Sequence, residues 1–570
     1  MIRRILRQYD YHFKLQTYSL QIPQHYELED KSGSSPANTA HQDSCRHSGG
    51  SRSTTEVIEM AVDIKRRDLL QMLAFGVAGG QVLGNTSLAF AQGKDSVTIG
   101  WPSDVPSWDP NQRFTPDAQP IYKLVFDQPL DQNPKLDLIP NIITKWELAS
   151  DGLSMPIEMR DDVVFHNGDK MTMEDFRYTF LERIKAGQKL DTANSWRHVA
   201  DVEIQSPTKA VMKFSSPAPT APQWLAFLGS YIVPKKYIES VGPDAFREKP
   251  VGSGPYKLVE YQLNSRIVLE RNDAYWGPKP KMKRITFDII KDPSARIAAV
   301  QSGQVDITTS IPVREVERLK REPNLSAEIN PISRVILLQV RNDLAFADQN
   351  VRLAAHYAID KQALSKAFYG GAAVPLPVVA TPGTAAFLED FKFDYDPKKA
   401  TELLAKSGFS PDKPVKLKFA STNGQFPSDY DIARALVQMW KKVGIDAELE
   451  TIEYAKYFEL NRGGKLPEAT LYSFDNATGD PEIFAGYLLN PKMPFGTWKG
   501  MEIGEKVLAL FSEPVYEKRI AGYRALNKEA VEAGATIPLL QSVQTLVKKK
   551  DLNYEKYGNG WVLGSKMSWS

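Results

Sequence analysis

Cysteine is all but missing from this chain. Its 570 residues contain one, Cys45, so no intramolecular disulfide can form and no thiolate-rich metal site can be assembled. Histidine is nearly as sparse. Four of the seven (His12, His25, His41 and His47) precede residue 60, leaving His166, His198 and His356 for the remainder. A multi-histidine metal centre would need all three to converge, and neither metal nor other cofactor is expected. Charge of one sign is lacking too: 71 Lys and Arg face 69 Asp and Glu, a net +2. That balance favours neither nucleic acid nor an acidic membrane surface as partner. No Gly-x-Ser-x-Gly elbow and no His-Glu-x-x-His zinc motif occurs, so the common hydrolase signatures are absent.

What is present is ordinary for soluble globular protein: 42% hydrophobic and 25% charged residues. The length exceeds what one core supports, so two or three domains are expected. Ten Trp and 23 Tyr supply aromatic surface for core and ligand contact alike.

Residues 1–59 differ from the rest. Lys31 to Thr55 is rich in Ser, Gly, His and Asn and has little to bury, so disorder is expected. Met60 opens a more legible segment: Lys65-Arg66-Arg67-Asp68 precedes a weakly apolar run broken by Gly76, Gly79, Gly80 and Gly84 and closed by Leu88-Ala89-Phe90-Ala91. Paired arginines, modest hydrophobicity and a small-x-small site resemble a twin-arginine export signal over 60–91, cleaved near Ala91. The expectation is that translation starts at Met60, with residues 1–59 upstream of it, and that the mature protein is periplasmic.

From Val97 the pattern alternates strand and helix, as an α/β sheet requires. Val97 to Trp101 reads as a strand, and Trp146 to Ala149 pairs with Ser154 to Met159 around Asp151-Gly152. Thr172 caps a helix with Asp175 three residues on, a capping-box spacing, and Phe176, Phe180 and Ile184 share a face. The most organised passage is Val251-Gly-Ser-Gly-Pro-Tyr256 followed by alternation over Lys257–Tyr261 and Arg266–Glu270, a hairpin. Its glycines invite a phosphate-loop reading, but they lead into strand and no Lys-Ser/Thr follows; a tight turn with positive φ at the glycines is expected. Further on, Ile285–Ile290, Val305–Ile307, Val335–Val340, Lys416–Phe419, Ile445–Ile452 and Thr470–Phe474 read as strands. Helices are expected from a Ser294 cap, over Asn350–Ile359, after Asp360 and Asp396-Pro397, over Ile432–Val443 and over Pro514–Ala533.

These segments, in this order, resemble the family-5 solute-binding proteins of ABC importers, the dipeptide, oligopeptide and nickel receptor group. The specific matches are Val163-Val-Phe-His-Asn-Gly-Asp169, Val251-Gly-Ser-Gly-Pro-Tyr256 with Arg271-Asn272 and Tyr275-Trp-Gly277, Val351-Arg352 through Ala358-Ile-Asp-Lys361, and Asp475 to Asp480-Pro481. The resemblance implies a type II periplasmic-binding-protein fold, a Venus flytrap of two lobes. Lobe I would comprise 92–335 with 541–570 and carry a subdomain at 136–250; lobe II would be 336–540. Hinges would lie near Arg334–Asn342 and Ile537–Ser542. A monomer that closes on its ligand and meets an inner-membrane ABC permease is implied, with no catalysis.

In the peptide-binding relatives an Asp in the segment matching Ser473–Asp480 holds the ligand amine, which here implies Asp475, with Asp480 second. The arginine that dipeptide receptors place before the helix matching Ile432–Val443 has no counterpart, since that loop reads Pro427-Ser-Asp-Tyr-Asp431. Either a ligand carboxylate is held elsewhere, the ligand is longer, or it is cationic or uncharged; sugar, opine-like and cationic metabolites stay open beside peptides. Trp101, Trp108, Tyr122, Phe426 and Tyr430 lie near loops expected to face the cleft and are candidate stacking residues. His166 and His356 are expected to be structural. Asp475 and Asp480 also admit a glycoside-hydrolase pairing in principle.

Overall fold

Alternating apolar and polar residues build most of the strands, and the computed structural model describes residues 95–570. Phe114, Leu228, Ala477, Pro494 and Phe495 are excepted, as are the side chains of Asn194, Ala455 and Tyr487. The expected export segment and residues 1–59 lie outside the described residues.

In chain order β1 (Ser96–Trp101) is followed by β2 (Leu130–Gln132), β3 (Leu138–Pro140), β4 (Ile143–Trp146), β5 (Ser154–Met159), β6 (Val199–Ser206) and β7 (Lys209–Phe214). Next come β8 (Tyr256–Gln262), β9 (Arg266–Arg271), β10 (Arg284–Ile289), β11 (Ile307–Thr309) and the long β12 (Leu325–Val340). The chain continues with β13 (Val415–Ser421), β14 (Ile445–Thr451), β15 (Ala469–Asp475), the long β16 (Ile537–Lys549), β17 (Leu552–Asn553) and β18 (Ser568–Trp569). Ten of them form one mixed sheet in the order β14-β13-β15-β12-β16-β11-β1-β10-β9-β8, while β4-β5-β7-β6 make a separate four-stranded sheet.

The ten-stranded sheet has two halves that share β12 and β16. These pair antiparallel from Leu325↔Lys549 to Leu338↔Ile537, with register shifts between Pro331 and Val335 and between Ile336 and Leu337. Proline has no N–H for a ladder bond, so it sits at such an irregularity. On one side β11 pairs Leu546–Lys548 of β16 and leads through β1 to the hairpin β8–β9. On the other, β15 pairs Arg334–Val340 of β12. Alternation along β12 then feeds two cores: Ile336, Leu338 and Val340 pack into one, Val335 and Leu337 into the other.

Several elements follow directly from local sequence. The Thr172–Asp175 capping box is formed. The helix Asp429–Val443 buries Ile432, Leu436 and Trp440 and ends at a left-handed Gly444. It connects β13 to its parallel neighbour β14, the expected strand–helix–strand unit. Other readings are corrected. The helix Pro293–Ser302 is capped by Asp292, whose carboxylate accepts from the Ala295 N–H, and not by Ser294. Proline at the first helical position moves the cap one residue ahead of it. Strand β12 starts ten residues before Val335, and the expected Val305–Ile307 strand lies at Ile307–Thr309.

The Gly-Ser-Gly passage enters a hairpin, β8 pairing β9, yet its glycines are needed for space and not for positive φ. A Cβ on Gly252 would be driven into the Val125 carbonyl, and one on Gly254 would lie 2.6 Å from the Val125 carbonyl carbon. Between them Ser253 donates its hydroxyl to the buried Asp127 carboxylate (3.0 Å), which also accepts from the Tyr275 hydroxyl (3.1 Å) and the Trp276 indole N–H (3.1 Å). His166 donates from Nε2 to the Gly254 carbonyl and accepts from the Gly252 N–H at Nδ1; burial depresses its pKa to about 4, so it stays neutral. The passages that stand out in the sequence thus converge on one buried carboxylate.

Candidate ligand-binding cleft

Where the two halves meet, an inner chamber of about 70 Å³ opens into a mouth of about 730 Å³. Pro102, Asp117, Ser310, Gln425, Phe426 and Pro427 line both, so they form one cleft. The first half supplies Trp101 from the end of β1 and Asp117 from the turn Pro116–Ala118. The Trp101 indole N–H donates to the Asp117 carbonyl at 3.0 Å and fixes that turn. The second half supplies Gln425, Phe426 and Pro427, while the C-terminal loop adds Asn559 and Trp561. The shared strands form the floor, with Arg334 from β12, Asp475 from β15 and Ser542–Thr545 from β16.

Electrostatics concentrate at that floor. Arg334 and Asp475 are direct cross-strand partners, which places their side chains on one face of the sheet. Burial pushes the Asp475 carboxyl up to about 6; Arg334 opposes that rise and the Asp117 charge adds to it. Burial likewise raises the pKa of Asp117. Arg334 is destabilised as a cation by burial, but Asp475 first and Asp117 second more than compensate, so its pKa is raised. Among the described residues the Oδ1 of Asp475 and the Nε of Arg334 have no hydrogen-bond partner.

The candidate residues separate. Asp475 and Phe426 line the chamber, as does Trp101, and Phe426 and Tyr430 line the mouth. Trp108 and Tyr122 do not line the cleft. Trp108 is buried edge-on to Tyr261 at 5.5 Å; Tyr122 packs against Phe126 and Tyr231 and donates its hydroxyl to the Ser107 carbonyl. Asp480 does not line it either: both its oxygens accept from Nη1 of Arg519 at 2.8 Å, a buried pair. With Asp480 so engaged, no acid pair faces the cleft through it. Asp429 in the mouth accepts from the Thr422 hydroxyl and from the N–H groups of Gly424, Gln425 and Tyr430, so it shapes the loop. His356 is a core residue, stacked on Phe393 with ring centroids 3.7 Å apart.

Arg334, Asp117 and Trp561 escaped the sequence reading as cleft residues. Only Arg334 had a signal, its place in the segment expected to cross between halves.

Hydrogen-bonded contacts bridge the region of the four-stranded sheet and the second half. The Thr220 hydroxyl donates to Glu482 at 2.5 Å, and Arg462 pairs with Asp191 at 3.1 Å. Burial pushes the Glu482 carboxyl up to about 7, with the neighbouring Asp480 adding to the rise.

Comparison with known proteins places this architecture. The profile described as "Bacterial extracellular solute-binding proteins, family 5 Middle" matches residues 137–493. The nickel-binding periplasmic protein of Escherichia coli K12 is 26% identical over 508 residues, covering 82% of this chain and 93% of that protein. The dipeptide-binding protein of the same organism is 26% identical over 379 residues, 62% of this chain and 70% of its own length. Among solved structures, the periplasmic binding protein DppA of Helicobacter pylori in complex with peptide STSA superposes with a TM-score of 0.76 at 20% identity, over 83% of this chain and 98% of that one. The binding protein AgaA in complex with agropinic acid, from Agrobacterium tumefaciens R10, gives 0.73 at 20% identity over 83% and 99%. Solute-binding architecture and a cleft at the junction of two halves agree, and this chain belongs to the family-5 bacterial extracellular solute-binding proteins, the non-enzymatic substrate-binding components of ABC importers.

Proposed function

We propose that this protein captures a peptide or peptide-like solute in the periplasm, closes its two halves over it, and presents the closed form to an inner-membrane permease. One observation carries the ligand class: the Asp475 Oδ1 is buried at the cleft floor without a hydrogen-bond donor among the described residues. A buried acceptor left unpaired is costly, and a ligand ammonium supplies both donor and charge. The likeness to receptors named for dipeptides and to a peptide-bound relative supports the same reading. Closure rests on β12 and β16, the hinges lying near Arg334–Asn342 and Ile537–Ser542. Lobe I would be 92–335 with 541–570, and lobe II 336–540. Residues 60–91 would direct export, with cleavage near Ala91, which N-terminal sequencing of the mature protein checks.

The test is mass spectrometry of small molecules released from the protein purified from its own periplasm, followed by calorimetry with the identified compound. A ligand bearing a basic nitrogen, bound at least about tenfold more weakly by Asp475→Asn, is the expected result. A ligand without such a nitrogen, or unchanged affinity in the variant, overturns the reading.

A further inference from the structure

Asp475 does not stand alone at the chamber floor, and its surroundings restrict the ligand further. Arg334 is its cross-strand partner, and it is the single cation among the described residues lining the inner chamber. The neighbouring Arg296 is engaged elsewhere: its guanidinium donates to the carbonyls of Thr309, Ile290, Lys291 and Ser310. Each of Arg334 and Asp475 is the other's strongest charge partner, yet the Arg334 Nε and the Asp475 Oδ1 both lack hydrogen bonds among the described residues. A buried donor and a buried acceptor, side by side and unsatisfied, describe a site whose complement carries an acceptor and a donor side by side.

Spacing decides which zwitterion fits. Opposed residues of an antiparallel pair have Cβ atoms about 5 Å apart. The terminal charges of an extended dipeptide are separated by roughly two residue lengths, about 7 Å, and those of longer peptides by more. An α-amino-acid head carries ammonium and carboxylate on one carbon, within the reach of two neighbouring strands. The guanidinium fork suits the carboxylate, and the planar geometry gives it two parallel donors.

We propose that Arg334 and Asp475 together bind a free α-amino-acid head, Arg334 taking its carboxylate and Asp475 its ammonium, with the rest of the solute extending toward the mouth. This rests on the assignment of Asp475 to a ligand amine and narrows the peptide-like class to solutes whose amine and carboxylate share a carbon. The Asp117 charge, on the part of the chamber lining that the first half supplies, adds attraction for the ammonium. In this arrangement the carboxylate-binding cation comes from the crossing strand, which accounts for a loop at Pro427–Asp431 that has acids and no arginine.

Two isomeric probes test it: γ-Glu-Ala, which keeps the free α-amino-acid head, and α-Glu-Ala, which has the same atoms and charges but ties that carboxylate into the peptide bond. Calorimetry on the wild-type protein, stripped of ligand by unfolding and refolding, is expected to show at least about tenfold tighter binding of the γ isomer. Arg334→Gln is expected to abolish this preference, weakening the γ isomer at least about tenfold more than the α isomer, and Arg334→Lys, which keeps charge without the fork, to retain part of it. Equal binding of the two isomers, preference for the α isomer, or no binding of either overturns the proposal. So does an Arg334→Gln protein that loses both isomers equally, the pattern of a guanidinium that merely neutralises Asp475. Should both isomers bind equally, through Asp475 and not through Arg334, the peptide-receptor reading survives and only the amino-acid head is lost. The wild-type comparison holds whether or not the Arg334 variants fold.

Discussion

Asp127 shows what a single buried carboxylate does in this fold: hydroxyls of Ser253 and Tyr275 and the Trp276 indole all donate to it. Asp127→Ala would leave three donors unpaired and is expected to cost about 3 kcal/mol or more, with Asp127→Asn, which keeps one acceptor, losing less; denaturant titration of the two variants measures the difference. The same reasoning at Asp475 concerns binding. Its carboxyl is held at about 6 by burial, so under the proposed assignment a ligand ammonium would lose its charged partner as pH falls below that value. Affinity is expected to drop by up to about tenfold per pH unit below 6, and Asp475→Ala to weaken binding by about 1.5–3 kcal/mol at neutral pH; calorimetry across pH 5 to 8 reads both. At this scale the sequence disclosed part of the site. Asp475 and Phe426 line the chamber, whereas Trp108 and Tyr122 are core residues. An aromatic residue beside a turn carries the same local signature whether it faces ligand or core. Arg334 owes its place in the site to a cross-strand partner far along the chain, which no local pattern records.

Elements were legible where one periodicity runs undisturbed. The helix Asp429–Val443 and the hairpin β8–β9 announce themselves because one face is buried throughout and turns bound them. Half of β12 did not, since Leu325–Pro331 is largely half-exposed, mixes Ser, Glu and Asn with its apolar residues, and ends on a proline. Pairing with β16 overrides that weak propensity. The Thr220–Glu482 bridge raises a prediction of its own. The Glu482 carboxyl has an ordinary pKa of 4.5 and is pushed up to about 7 by burial, so the folded protein binds its proton more readily than the unfolded chain. Its contribution to stability is present below pH 4.5 and is lost as pH rises to about 7. Glu482→Gln removes that dependence; the melting temperature of the variant relative to wild type is expected to climb between pH 5 and pH 8. A constant difference across that range would exclude ionisation of Glu482 as its source.

For the molecule as a whole the buried acids act in the same direction. Asp127 is raised from 3.8 to about 7 by burial, against its three donors, and Asp475 to about 6, alongside Glu482. Each folded-state value exceeds the unfolded one, so the stabilising proton is held at mildly acid pH and released on the way to neutrality. The buried histidines act the other way: burial depresses His166 and His198 to about 4 and His356 well below its ordinary value, so below about pH 6.5 the unfolded chain binds their protons more readily and stability is lost as pH falls. The two sets offset each other in the ligand-free protein, and saturating ligand is expected to raise the melting temperature more near pH 7.5 than near pH 5 by pairing Asp475 at the higher pH.

The position of β16 has a consequence in time. It stands fifth of ten in the sheet, between β12 and β11, but occupies residues 537–549 of 570. A polypeptide is made from its N-terminus, so the middle of the sheet is the last strand to arrive. Until then β12 and β11 have no neighbour to separate them properly, and each half waits with an open edge of the kind that recruits other chains. The protein thus commits to its architecture only once Ile537–Lys549 has been made, and a ribosome that stops short of Ile537 releases two unfinished halves with nothing to join them.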